Sequence, residues 1–273
     1  MPATDNVLLE PEARQFYSET LGTFERANVE ILVGGAYAFA RYTGIERHTK
    51  DFDVFVRERD FPNALNALAE AGYETDLTFP HWLGKAFHPG GEYFVDVIYG
   101  SGNGVSRVDD EWFTNAPTDQ IFGMPVRLCP PEEMIWSKAF IQERERYDGA
   151  DVAHLFKACG PELDWQRLLR RFGQHWHVLL SHLVLFNFVY PGERDRLPSA
   201  VIHELTRRLS DEVSSPAPSE RVCRGTILSR QQYLVDVEEW GYRDVRTRPD
   251  NPMSEADIAT WTAGITRDGS RES

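Results

Sequence analysis

Three aspartates in this chain stand where carboxylates are costly. Asp51 and Asp53 lie in "DFDVFV" and Asp96 lies in "YFVDVIYG", segments otherwise made of aliphatic and aromatic residues. A carboxylate taken out of water is expensive, and two on one strand face repel each other. Something must offset that cost, and a metal ion does so directly. On a strand, positions i and i+2 leave the same face roughly 7 Å apart along the backbone, so Asp51 and Asp53 project together. A strand pairing beside theirs brings Asp96 to the same spot. Such a cluster suits two divalent cations about 3.5–4 Å apart, one activating an attacking oxygen and one gripping phosphates. Ligation by oxygen alone points to Mg2+ or Mn2+ rather than zinc.

The stretch before the acids supplies a second ingredient. "VEILVGG" reads as a short buried strand ending in Gly34 and Gly35, and "AYAFARYTG" as a helix closed by Gly44. A strand turning through glycines into a helix N-terminus offers backbone N–H groups and a favourable dipole, an anion site. Glycine also lets a triphosphate approach the backbone closely. Arg47 and Thr49, just ahead of the acids, either touch phosphate or close the loop.

The remaining elements frame these residues. Helical spacing of Phe16, Leu21 and Phe24 predicts a first helix over 11–27, and "FPNALNALAEAG" an amphipathic one ending at Gly72. "KAFHPGGEYFVDVIYG" predicts a hairpin about Pro89-Gly90-Gly91, and "QIFGMPVRLC" a second near Gly123. From Pro130 the pattern turns helical: "PPEEMIWSKAFIQERER", "DGADVAHLFKACG", "LDWQRLLRRFG", "WHVLLSHLVLFNFVY", "AVIHELTRRLS" and "TILSRQQYLVDVEEWG". The expected fold class is α/β (α+β), a mixed sheet in a core over 1–128 followed by a helical region over 129–242. A flexible tail is expected over 243–273.

Composition bounds the alternatives. The chain has 273 residues, 41% hydrophobic and 26% charged, ordinary values for a soluble globular protein. The formal net charge of −14 argues against broad nucleic-acid binding, which needs a basic surface. No apolar run reaches a membrane span, since 177–190 is interrupted by Ser181, His182 and Asn187. The N-terminus carries neither a basic leader nor an apolar stretch, so a cytoplasmic location is expected. Cys129, Cys159 and Cys223 are widely separated and fit neither a zinc motif nor a disulfide framework. His175, His177 and His182 do not share one helical face, which disfavours a metal site and favours polar positions on a packed aromatic helix. "RLLRR" over 167–171 reads as solvated helix charge, and "GSGNG" over 100–104 as a mobile loop.

Taken together, Gly-Gly, a short helix, Asp-x-Asp on a strand and a later third Asp resemble the DNA polymerase beta-like nucleotidyltransferase superfamily. Two branches come nearest. "GGAYAFARYTGIERHTKDFDVFV" is similar to the aminoglycoside and lincosamide nucleotidyltransferases, and "SKAFIQERERYDGADVAHL" to nucleotidyltransferase toxins of abortive-infection type. The resemblance spans about 30–160. It implies that Asp51 and Asp53 bind both metals and that Asp96 helps to deprotonate an acceptor hydroxyl. It further implies that Lys138 contacts nucleotide phosphates, with Asp148 and Asp151 orienting it or capping the next helix. The activity implied is metal-dependent transfer of a nucleoside monophosphate from an NTP to a hydroxyl acceptor, with ATP-binding as one form of the nucleotide site. That acceptor is a small molecule such as an antibiotic, or a tRNA or protein. A noncatalytic relative that binds nucleotides or a partner is the alternative.

Overall fold

The structure, a computed structural model, describes residues 10–248, 251 and 253–268. The segment read as lacking a leader lies, over 1–9, outside the described residues. Two compact units divide the chain: Met1–Gly102 with Arg107–Pro130, and Asn103–Ser106 with Pro131–Ser273.

The first unit is built on a mixed five-stranded sheet of order β1-β2-β5-β4-β3. Its strands are β1 (Leu32–Val33), β2 (Asp51–Phe55), β3 (Glu74–Phe79), β4 (Leu83–Phe87) and β5 (Phe94–Ile98). Only the β2–β5 pair is parallel. Helix α1 (Pro11–Arg26) opens with proline in its first turn, where a missing N–H costs nothing. Helix α2 (Gly35–Thr43) ends at Gly44, whose φ of +72° is the left-handed cap that glycine adopts freely. Helix α3 (Phe61–Glu70) packs on β3, β4 and β5 and against α1. The alternation expected for "DFDVF" is present: Phe52 and Val54 are fully buried, while Asp51, Asp53 and Phe55 on the other face are half-buried. Tyr17 of α1 stacks on Phe52 with ring centroids 5.1 Å apart. A short helix α4 (Asp110–Thr114) and the hairpin of β6 (Thr118–Ile121) with β7 (Met124–Arg127) complete the unit.

The second unit is helical. It contains α5 (Pro131–Ala139), α6 (Gly149–Cys159), α7 (Trp165–Phe172), α8 (Trp176–Val189), α9 (Ser199–Val213), α10 (Leu234–Glu238) and α11 (Glu255–Asp268). A two-residue parallel pair joins β8 (Val222–Cys223) to β9 (Arg243–Asp244). Leu155, Phe156, Leu179, Leu183 and Phe186 fill the space between α6 and α8.

Four expectations need correction. Helix α5 stops at Ala139 rather than running to Arg146, because Gln142 donates its N–H to the Leu228 carbonyl and Asp148 to that of Ile141. The long helix expected over 226–241 is reduced to α10, since buried Ser229 bonds to Glu143 and accepts from the Gln232 N–H. "RLLRR" is solvated charge only at exposed Arg170: Arg167 is buried against Glu132 of α5, and half-buried Arg171 pairs with Glu133. The tail beyond Tyr242 is tied down over 243–248, where fully buried Arg246 pairs with Asp244 at 2.7 Å and Thr226 adds a bond to the same carboxylate. Part of that tail, 249–250, 252 and 269–273, lies outside the described residues.

Candidate functional site

The hairpin about Pro89-Gly90-Gly91 sets the register of the site. Counting back from the turn, Phe87 faces Phe94 and Lys85 faces Asp96. On its other edge β5 runs parallel to β2, with Asp96 opposite Asp53. Residues paired across neighbouring strands project to one face. Asp53, Asp96 and Lys85 therefore form a row across three strands, with Asp51 two residues along from Asp53.

Carboxylate oxygens of Asp51, Asp53 and Asp96 lie within 4.8 Å of one another. Among the described residues, this is the grouping of acids, histidines or cysteines close enough to share an ion. The all-oxygen donor set and the spacing fit a hard divalent cation such as Mg2+ or Mn2+. Asp96 is the buried member of the three. Burial pushes its carboxyl above the usual carboxylate range, Lys85 pulls it partly back, and Asp51 pushes it further up. The Lys85 Nζ stands 2.6 Å from Asp96 Oδ1.

The glycines hold this arrangement more directly than the sequence implied. The Gly34 N–H is not free for an anion, because it donates to the Asp53 carbonyl at 2.9 Å. A Cβ on Gly34 would sit 2.2 Å from the Phe55 ring. One on Gly35, whose φ is +52°, would sit 1.7 Å from Asp53 Oδ2. Phe55 and Asp53 are alternate residues on one face of β2, so the two glycines make room for two successive side chains of that face. What approaches the Gly35 backbone is thus the carboxylate itself, and a valine there cannot leave the site intact. No side chain caps the N-terminus of α2.

Thr49 Oγ1 donates to the Asp51 carboxylate, which orients that acid. Arg47 lies over the Phe39 ring, 4.6 Å from its centroid. Tyr17 fixes the entry to β2 by donating its hydroxyl to the Lys50 carbonyl at 2.9 Å. Half-buried Tyr37, on α2, is held above the usual phenol range by burial first and then by Asp51 and Asp53, so it stays a neutral hydroxyl.

Lys138 belongs to the second unit, where its ammonium bridges Asp148 at 2.9 Å and Asp151 at 2.8 Å. Arg146 also pairs with Asp148. Burial alone would raise Asp148, but Arg146 and Lys138 outweigh it and hold the carboxyl below its ordinary range. Asp148 therefore orients the lysine, and its side chain makes no cap on α6.

The lesser candidates have structural partners. His182 is buried with Nε2 2.9 Å from the Ala139 carbonyl, and His177 pairs with Glu212. Cys129 is buried, its N–H bonded to Val33. The "GSGNG" loop is anchored rather than loose, since the Asn103 side chain donates to the Ile227 carbonyl at 2.7 Å. Lys85 is the site residue that the sequence reading missed. Its signal was the hairpin register, which places it opposite Asp96.

No described helix is long and apolar enough to cross a membrane. No family model matches the chain, and no curated protein matches its sequence. Among solved structures, the chain is similar to the antibiotic-resistance factor ANT(2″)-Ia, at 15% identity and a TM-score of 0.44 over 64% of this chain and 98% of that one. It is similar to the lincosamide antibiotic adenylyltransferase LnuA, at 16% identity and a TM-score of 0.38 over 55% of this chain and 98% of that one. An antigenic nucleotidyltransferase-like protein from Paracoccidioides brasiliensis is 19% identical with a TM-score of 0.47, over 72% of this chain and 99% of that one.

Proposed function

We propose that this protein is a metal-dependent nucleotidyltransferase that moves a nucleoside monophosphate from an NTP, ATP among the candidates, to a hydroxyl acceptor. The observation that carries the reading is the convergence of Asp51, Asp53 and Asp96 beside the uncapped start of α2. These three aspartates would hold Mg2+ or Mn2+, which when bound supplies charge to balance the triphosphate and polarises an attacking hydroxyl. The first-turn N–H groups of α2 after Gly35 receive phosphate oxygens. Thr49 keeps Asp51 aimed at the cluster. Lys138, held by Asp148 and Asp151, is assigned to the nucleotide phosphates on the resemblance of its segment. The acceptor oxygen bonds to the α-phosphorus as the bond to the bridging oxygen breaks. Pyrophosphate leaves, and the hydroxyl proton passes to Asp96, whose raised affinity for protons suits a general base.

The net charge of −14 favours a small, cationic acceptor over a polyanion. The segment over 138–151 favours a tRNA or protein acceptor, as in the toxin branch. A noncatalytic nucleotide-binding relative is the second reading, and the neutralisation of Asp96 by Lys85 favours it. One experiment separates all three. The protein is incubated with four α-labelled NTPs, Mn2+, and either total RNA and protein or cell metabolites, with Asp53→Asn as control. Label transferred to a metabolite, or to RNA or protein, with release of pyrophosphate identifies the acceptor class. Nucleotide retention without pyrophosphate release in either mixture sinks the enzyme reading.

A further inference from the structure

We infer that Lys85 is a built-in cation of the acid cluster, so that the nucleotide-free site takes up one divalent ion rather than two. The inference rests on the reading of Asp51, Asp53 and Asp96 as metal ligands and specifies how many ions they hold. Three observations carry it. Lys85 stands in strict register with Asp96 and, beyond it, Asp53, so the backbone pairing itself aims the side chain along the row of acids. Its Nζ lies 2.6 Å from Asp96 Oδ1 and 4.0 Å from the centre of the Phe94 ring. An ammonium between a carboxylate and an aromatic face is held on two sides, and its side chain is only 21% exposed.

Charge then fixes the count. Three carboxylates (−3) and one ammonium (+1) leave −2, the charge that a single divalent ion neutralises. A second ion placed at Asp96 would meet the lysine at close range in a partly desolvated site, where like charges repel strongly. Without Lys85 the three acids carry −3, so a charge of −1 remains after the first ion to attract a second, and no fixed ammonium opposes it. The lysine also answers the question of how Asp96 can sit buried in an aliphatic strand before any ion arrives. Its counter-charge comes from the neighbouring strand.

The test counts bound Mn2+ by electron paramagnetic resonance in nucleotide-free protein at neutral pH. Wild type is expected to bind one ion per chain tightly. Lys85→Met, which keeps the length and apolar stem of the side chain, is expected to bind two, the second at least tenfold more tightly than any second ion in wild type. Lys85→Arg, which keeps the charge, should remain at one. Two tight ions in wild type overturn the inference, and so does a count of one with unchanged affinity in Lys85→Met. Should that variant fail to fold, Lys85→Gln and the wild-type count decide the matter in the same way. Failure of the underlying reading looks different: neither wild type nor the neutralised variants would take up Mn2+ at all.

Discussion

Gly35→Ala is the smallest change that tests why the site has its shape. The added Cβ would lie 1.7 Å from Asp53 Oδ2, 2.6 Å from its Cγ and 3.0 Å from its Cβ. Carbon and oxygen do not approach closer than about 3 Å, so the carboxylate must swing away by well over an ångström. Alanine at φ +52° adds backbone strain of about 1–2 kcal/mol, whatever the space around it. Displacing a half-buried side chain from its rotamer and partners adds roughly 1–3 kcal/mol. Gly35→Ala should therefore cost about 2–5 kcal/mol in urea unfolding and weaken Mn2+ uptake, because Asp53 no longer points at the cluster. A double-mutant cycle isolates the contact. In an Asp53→Ala background the clashing oxygen is gone, and Gly35→Ala should cost only the backbone strain, leaving a coupling of about 1–3 kcal/mol. Equal costs in both backgrounds would refute the reasoning, since the glycine would then serve the turn alone.

Four further outcomes are expected. Saturating Mg2+ should raise the melting temperature of wild type by roughly 5–10 °C at a hundred times its dissociation constant, and Asp53→Asn should remove most of that shift. The same variant should melt higher than wild type in the absence of metal, because one of three clustered charges is gone; a lower melting point would mark Asp53 as an ordinary structural acid. Asp96→Asn should depress turnover by about 10²–10⁴-fold while NTP affinity, read by calorimetry, falls much less. The last concerns pH. Burial first, and Glu132 against the opposing pull of Arg167 and Arg171, pushes Glu133 from 4.5 to about 7. The folded state therefore holds a proton that the unfolded chain releases between these values, so stability is greatest below pH 4.5 on this account and is lost as pH rises through 7. Glu133→Gln should flatten that part of the melting profile between pH 5 and 8, and an unchanged slope would assign it elsewhere.

The sequence and the structure agree most where backbone periodicity carries the information. Alternation along 51–56 placed the two acids on one strand face, and the Pro89-Gly90-Gly91 turn implied the hairpin that presents Asp96. What alternation does not encode is which strands adjoin. The parallel pairing of β2 with β5 arises from a crossover through α3 and the β3–β4 pair, and only that pairing sets Asp96 opposite Asp53. Lys85 escaped notice for a related reason: an isolated lysine in a strand reads as an exposed residue until its partner is known. The glycines were read as room for a ligand, whereas the steric facts assign the room to Asp53 and Phe55. In the helical unit the failures share a different cause. Arg167, Arg171 and Arg246 are charged residues withdrawn from solvent by acids distant or adjacent in sequence, and hydrophobic patterning scores every one of them as surface. Removing one partner of such a pair strands the other charge, which ordinarily costs about 3–5 kcal/mol. Local order over 243–248 thus rests on the Asp244–Arg246 pair, a contact between near neighbours that contributes nothing to any hydrophobic count. The same physics links the two units' lessons: a buried charge is legible only once its counter-charge has been found.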